Sequence, residues 1–432
     1  MGAFEDLSWR GMIAQTTAAD PAAMLAAPLT IYSGFDPSAA SLHVGNLVPL
    51  MALAHLRRAG HRPLPLVGGA TGMVGDPSGK SSERKLLDTE RVADNTGKIT
   101  AQIAAFFAAD DGDASGAPGA PPVTIVNNLD WLGGVRLLDF LRDVGKHFAV
   151  NQMMQRDSVK QRFESRDEGI SFTEFSYMLL QAYDFYELYR RHDCRVQIGA
   201  SDQWGNIVSG VDLVRRLAGD TVHGLTMPLL TDKEGRKYGK SEKGAVYLDP
   251  TLTTPYRFYQ FWLQSDDADV GRNLRWLTLR SREDIEALEA TVGSGARQAQ
   301  HALAEDITRR IHGQRELERA QQASLALFNG GDLRALGGAI LDEALDAAPS
   351  ITVARDRFAG AGALLVDLLA EVGACPSKSD ARRQVTAGAV AVNGTALGAA
   401  SADARVPATE LIDGRLVVLR RGKRNNYVIR VA

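Results

Sequence analysis

Cysteine is scarce in this chain. The two present, Cys194 and Cys375, stand far apart in sequence, which argues against a disulfide framework or a cysteine metal cluster and leaves two ordinary buried thiols. Long uncharged apolar runs are missing as well, so no segment reaches the length of a membrane-spanning helix. The first residues carry Glu5 and Asp6 and lack an apolar signal region, and Asp6 stands where a myristoylation signal needs Ser or Thr, so the expected location is cytoplasmic. An excess of positive charge is also lacking, the net charge being −3 over 432 residues. Evenly spread, that balance would disfavour a nucleic-acid partner. It is not even: from Pro376 onward ten Lys/Arg face four Asp/Glu, a net of +6, which leaves −9 on residues 1–375. Attraction to phosphates depends on local clustering, so an acidic body with a basic appendage is compatible with RNA binding.

A content of 45% hydrophobic and 23% charged residues is ordinary for a globular protein. The length implies two or three domains, since one core rarely grows past about 250–300 residues. Strand-like runs at 29–33 and 63–67 flank a helix that starts after His43, has Leu47, Leu50, Met51, Ala54 and Leu56 at helical spacing, and stops at Gly60. With further strand candidates at 123–126 and 195–198, this predicts an α/β domain with a parallel sheet, whose ligands gather at the carboxyl ends of the strands. Residues 108–122 read as an exposed insertion. Helical patterns follow at 256–263, 282–290 and 296–328, then a glycine-punctuated connector with the composition of a hinge. A basic unit of helices and strands closes the chain. The expected divisions are 1–225, 226–328, 329–362 and 363–432.

Two short stretches carry the most chemistry: Ser41-Leu42-His43-Val44-Gly45-Asn46 and Lys237-Tyr238-Gly239-Lys240-Ser241. His43 falls at a helix N-terminus, where unpaired amides and the helix dipole favour an anion, and Asn46 shares its helix face. The lysine pair lies on a glycine-containing loop able to close over a polyphosphate. Gly79-Lys80-Ser81 invites a P-loop reading, but the glycine that motif requires upstream is Val74. Gly69, Gly72 and Gly75 recur every third residue, which does not fit a dinucleotide fingerprint; they read as a turn that presents Asp76. Tyr177, Gln181 and Asp184, at i, i+4 and i+7, form one stripe of a helix, where a buried Gln and Asp would need polar partners.

The two stretches resemble the paired signatures of class I aminoacyl-tRNA synthetases. The segments Tyr32-Ser33-Gly34-Phe35-Asp36-Pro37-Ser38, Gly72 to Lys80, Phe172 to Asp184 and Gln197 to Asn206 narrow the likeness to the bacterial tyrosyl-tRNA synthetases over nearly the whole chain. The resemblance implies a Rossmann-like catalytic domain, a helical domain and a small α+β RNA-binding domain like that named after ribosomal protein S-four. It further implies tyrosine, ATP with magnesium and tRNA as partners, a homodimer with a contact near 131–162, no membrane, no tightly bound cofactor and no dedicated metal site. The catalytic set would be Ser38, His43, Asn46, Lys80, Arg84, Lys237 and Lys240. Tyrosine would lie against Tyr32 and Asp184 at its phenol and against Asp76, Tyr177 and Gln181 at its ammonium, with Gln197 in support. ATP and the adenylate would meet Gly34, Asp36, His43, Gly45, Asp202, Gln203, Lys240 and Ser241. Candidates for tRNA are Lys378, Arg382, Arg383, Arg420, Arg421, Lys423 and Arg424. Asn46 stands where many class I enzymes have a second histidine, Ala200 where relatives often have glycine, and Ser33 where some have cysteine. Two rival readings are a tryptophanyl-tRNA synthetase, which typically lacks the basic appendage, and a non-catalytic RNA-binding protein with a synthetase body, which intact signature lysines disfavour.

Overall fold

The structure, a computed structural model, describes residues 2–78, 87–111, 119–156, 159–160, 169–231, 240–241, 244–329, 331–346, 348–422 and 425–432. Of the site residues named above, Lys80, Arg84, Lys237, Lys423 and Arg424 lie outside the described residues, and only the backbone is described for Lys240 and Ser241. The chain forms two compact units, Met1–Thr253 with Gln264–Ile311, and Thr254–Leu263 with His312–Ala432.

The first unit is built on a six-stranded sheet. Its strands are β1 (Gln15–Thr16), β2 (Thr30–Phe35), β3 (Arg62–Val67), β4 (Val126–Asn127), β5 (Cys194–Ala200) and β6 (His223–Met227), in the order β1-β6-β5-β2-β3-β4. All neighbours are parallel except β1 and β6. From β2 the chain steps to β3 on one side, while β5 occupies the other, so a crevice opens where the connections part. Pro63 and Pro65 are tolerated inside β3 because alternate residues face alternate neighbours. Arg62 N–H bonds back to Leu29 on the β2 side, whereas Pro63 faces 124, where only Leu66 and Val67 pair with β4. The strand expected at 123–126 is accordingly reduced to Val126–Asn127, since two prolines at 121–122 leave little to pair.

The helix Leu47–Arg58 is not the one-faced element its spacing suggested. Ten of its residues are buried, including His55 and Arg57, because it is covered by the sheet on one side and by the helix Asp267–Leu277 on the other. That second helix was not foreseen; Asp266 caps it, accepting from Ala268 N–H. Two long helices, Phe172–His192 and Trp204–Ala218, pack together beside β5. Ser171 caps the first by accepting from Glu174 N–H, and Asp193 ends it in the left-handed conformation at φ 49°.

The second unit holds a five-stranded sheet in the order Thr395–Ala396, Val390–Val392, Leu416–Arg421, Asn425–Val431 and Ser350–Val353, the last pair parallel. Helices Leu365–Glu371 and Lys378–Thr386 cover one face, with Val366, Leu369, Val385, Val417 and Ile429 at the centre of the core. The residues read as a hinge are packed instead: Leu333, Leu341 and Leu345 are buried with Ile412, Leu416 and Val418. Their glycines serve as turns, Gly337 at φ 74° heading the helix Gly338–Ala344. The expected 225/226 boundary falls inside β6, and 328/329 falls within the helix Gln298–Asn329.

The turn Asn393-Gly394 pins this connector. Leu333 N–H donates to Asn393 O at 2.9 Å, while Asn393 Nδ2 donates to Glu410 O at 2.7 Å and Asn393 Oδ1 accepts from Val418 N–H at 3.0 Å. Gly394 has φ +84°, and an added Cβ would press into the backbone carbonyl of Gly331. We therefore expect Gly394→Ala to lower the unfolding free energy by about 1–3 kcal/mol. Urea unfolding measures it, and a variant as stable as the parent would show that the turn does not hold the connector.

Candidate active site

Strand pairing sets the site. In parallel register Tyr32 of β2 lies opposite Leu64 of β3 and Gln197 of β5, so these side chains rise on one face of the sheet at its carboxyl edge. The Tyr177, Gln181 and Asp184 stripe of the helix Phe172–His192 looks onto the same place. The open cavity there measures about 280 Å³. Every residue expected to contact tyrosine or the nucleotide, where its side chain is described, lines it: Tyr32, Gly34, Asp36, Ser38, His43, Gly45, Asn46, Asp76, Tyr177, Gln181, Asp184, Gln197, Asp202 and Gln203.

At the deep end Asp184, 3% exposed, accepts from Asn128 Nδ2 at 2.9 Å and from Trp131 Nε1 at 2.7 Å. Burial pushes its pKa up to about 8; the two hydrogen bonds favour the charged form, and the negative charges of Asp36 and Glu187 oppose it. Nearby, Tyr32 Oη and Gln197 Oε1 are buried and have no hydrogen-bond partner among the described residues. Burial and the neighbouring Asp184 also raise the Tyr32 pKa. An unpaired buried polar atom costs on the order of 1–3 kcal/mol, so two of them lining a cavity suit a polar ligand.

Further out, Asp36 accepts from Tyr177 Oη and from Thr71 Oγ1, both at 2.7 Å, so its carboxylate braces the helix stripe against the 71–73 turn. Asp76 accepts from Ser78 N–H at 2.9 Å and from Gln203 Nε2 at 2.6 Å. Asn206 Nδ2 reaches Gln181 Oε1 at 3.1 Å and Gln203 Oε1 at 3.3 Å, which ties the helix stripe to the turn that follows β5. Ala200 sits at φ −72°, ψ 161°, a conformation open to any residue, so its methyl is accommodated there.

At the mouth, His43 caps a 3-10 turn, Val44–Asn46, ahead of the long helix. Its Nδ1 accepts from Gly45 N–H at 3.0 Å, and Asn46 Oδ1 accepts from His43 N–H at 3.0 Å. This reciprocal cap fixes a tautomer with the proton on Nε2 and leaves the Asn46 amide nitrogen as a donor. Val44 N–H donates to Val246 O at 3.0 Å and Leu248 N–H to Leu42 O at 2.9 Å. The strand pair Lys240–Ser241 and Gly244–Ala245 runs directly into that segment, so the end of the second signature is fastened to the backbone of the first.

Four polar residues at the site went unread in the sequence. Asn206 stood in a quoted motif without a role. Thr71 and Asn128 come from turns and Trp131 from the short helix Leu129–Leu132, and the only signal was the Asn127-Asn128 pair closing a strand-like run. Of the basic candidates in the second unit, Lys378 pairs with Asp367 at 2.8 Å, Arg383 pairs with Asp380, and Arg421 lies 3.9 Å from Asp380. Arg382 is exposed, and Arg420 is half-buried with its Nε enclosed.

A sheet of this order with a polar cavity at the switch between β2 and β5, and an imidazole capping the helix at its mouth, matches known proteins. The family described as tRNA synthetases class I (W and Y) matches residues 24–329, and the chain belongs to it. The C-terminal domain characteristic of tyrosine–tRNA ligases matches residues 341–429. The tyrosine–tRNA ligase of Roseiflexus castenholzii is 46% identical over 429 residues, covering 99% of both chains. That of Streptomyces griseus is 49% identical over 432 residues, covering 99% of this chain and 98% of its own. A C-terminally truncated mitochondrial tyrosyl-tRNA synthetase of Aspergillus nidulans superposes with a TM-score of 0.68 at 31% identity, over 76% of this chain and 94% of its own. Within the class, the tyrosine–tRNA ligases are therefore the branch to which this sequence belongs.

Asp184 should leave a mark on stability. Its folded pKa of about 8 lies above the ordinary aspartate range near 4, so its contribution is full below about pH 4 and is lost as the pH rises through 8. For the ligand-free protein this slope is on the order of 5 kcal/mol. Urea unfolding between pH 5 and 8.5 should show a steeper fall for the parent than for Asp184→Asn. Equal slopes would mean that the native carboxyl is already ionised at pH 5.

Proposed function

We propose that this ligase binds tyrosine with the phenol hydroxyl between Tyr32 and Asp184 and the ammonium among Asp76, Tyr177 and Gln181, with Gln197 supporting the pocket. The observation that carries the reading is the pair of unpartnered buried atoms, Tyr32 Oη and Gln197 Oε1, beside the deeply buried Asp184. A substrate phenol supplies both a donor and an acceptor there. Asp202 and Gln203, on the turn after β5, lie where ribose and the aminoacyl carboxylate would meet.

The tyrosine carboxylate attacks the α-phosphorus of ATP, the bond to the β-phosphate breaks, and tyrosyl-adenylate and pyrophosphate form. A hydroxyl of the terminal tRNA ribose then attacks the tyrosyl carbonyl and AMP leaves. No covalent bond to the protein is needed, so alignment and charge stabilisation are its main contributions. Ser38, His43 and Asn46 would contact phosphate from the capped helix start, and Lys80, Arg84, Lys237 and Lys240 would neutralise the departing pyrophosphate. Magnesium would enter with ATP. The basic region 363–432 would hold tRNA. Exposed Leu137, Leu138 and Phe172, each more than 70% accessible, suit a second copy of the chain. Among the described residues no helix is long and apolar enough to cross a membrane, and we place the activity in the cytoplasm.

ATP–pyrophosphate exchange with single amino acids tests the reading. Tyrosine should support exchange; exchange with tryptophan alone would overturn it. Tyr32→Phe, which removes one hydroxyl, should lower the tyrosine-over-phenylalanine ratio of kcat/KM by roughly 3–15-fold, the worth of one hydrogen bond. An unchanged ratio would move the phenol contact elsewhere.

A further inference from the structure

The stripe that begins at Tyr177 and Asp184 continues to the surface. Glu187 and Arg191 follow Asp184 at i+3 and i+7 on the helix Phe172–His192. Glu187 is buried, its side chain 3% exposed, while Arg191 is 46% exposed. Arg191 Nε donates to Glu187 Oε2 at 2.8 Å. The same guanidinium lies over the ring of Trp131, 5.4 Å from its centroid, and Trp131 Nε1 donates to Asp184 Oδ1 at 2.7 Å. One solvent-facing cation thus touches both the buried acid one turn from Asp184 and the indole that hydrogen-bonds it.

We propose that Arg191 is a positioning residue for tyrosine recognition, holding Trp131 in place as a donor to Asp184 and neutralising Glu187 so that Asp184 can act as a carboxylate. The inference rests on Asp184 reading the phenol hydroxyl.

The surroundings of Asp184 support this division of labour. From β2 it is faced by Tyr32 and Asp36; from the 128–132 segment by Asn128 and Trp131; and on its own helix by Tyr177 and Glu187. Asp36 is committed to Tyr177 and Thr71. Glu187 is paired instead with arginines, Arg190 at 3.2 Å and Arg191 at 2.8 Å. Arg190 stacks on Tyr186, whereas Arg191 stacks on Trp131, so comparing the two arginines separates charge from positioning. A buried carboxylate stripped of a partner acts on its neighbours through low-dielectric surroundings. Without Arg191, Glu187 would oppose ionisation of Asp184 more strongly than it already does, and a higher pH would be needed before the pocket offers the phenol a charged acceptor.

The test is ATP–pyrophosphate exchange by the full chain from pH 6.5 to 9.5, with tyrosine and with phenylalanine. Arg191→Gln should raise the tyrosine KM roughly 3–10-fold at pH 7 and move its pH profile up by about half to one unit. kcat should stay within about twofold, and KM for phenylalanine, which has no hydroxyl to read, should not change. Arg191→Lys, which keeps a cation, should restore most of the loss, and Arg190→Gln should cost less than Arg191→Gln. In a Glu187→Gln background, removing Arg191 should no longer move the pH profile. An Arg191→Gln enzyme with the parent KM and profile, while Asp184→Asn raises the tyrosine KM, would sink the proposal and leave the phenol reading standing. Equal losses with tyrosine and phenylalanine would also sink it. If Asp184→Asn changes neither the tyrosine KM nor the tyrosine-over-phenylalanine ratio, the phenol reading fails and the proposal falls with it.

Discussion

Burying a carboxyl group is costly unless donors meet it, and the site of this ligase is organised around that constraint at Asp184. The two donors come from chain more than fifty residues upstream, Asn128 at 2.9 Å and Trp131 at 2.7 Å, so the β4 turn has to fold against the helix Phe172–His192 before the acid can be held. Asn128 uses its other proton on Thr71 Oγ1 at 2.9 Å, and Thr71 in turn donates to Asp36. Satisfying one buried acid therefore links the turns after β2, β3 and β4 to a single helix. Tyr32 and Gln197 are the exceptions, and their unsatisfied atoms mark where the network ends and a ligand begins.

The mouth of the cavity obeys a different constraint, that of backbone pairing. His43 cannot swing freely, because its Nδ1 and its own N–H are both used in the reciprocal cap with Gly45 and Asn46. The bonds between 42–44 and 246–248 carry the second signature to the same rim. The segment just after the second signature, 246–248, thus pairs with the backbone of the first, about two hundred residues away in sequence.

Much of this was legible in the sequence where one element carries the pattern. The spacing of Tyr177, Gln181 and Asp184 names a helix face by itself, and His43 with Asn46 marks a helix start. Legibility failed where the partner is distant or a side chain has a second role. Nothing near Asp184 in sequence points to Asn128 or Trp131. Asn46 reads as a donor to phosphate, and its nitrogen remains for that task, but the spacing does not show that its oxygen caps His43 N–H. The connector misled for a third reason: its glycines match linker composition, but Gly337 occupies a positive-φ turn within it, and the positive-φ turn at Gly394 of the following domain packs against it at Gly331. Composition reports that such turns are possible and leaves their use as pins unstated.

Charge distribution separates the two halves of the proposed chemistry. Among its described lining residues the cavity carries Asp36, Asp76, Asp184 and Asp202, with His43 as the one basic side chain and no lysine or arginine. Such a lining favours the ammonium of an amino acid and disfavours a triphosphate. In the proposed reading the cations that ATP requires would come from Lys80, Arg84, Lys237 and Lys240. That arrangement suits a reaction whose largest change in charge is at the leaving pyrophosphate. An amino-acid pocket permanently lined with lysine would compete for the tyrosine carboxylate, the nucleophile of the first step, whereas in the proposed reading these four cations would act on the phosphates.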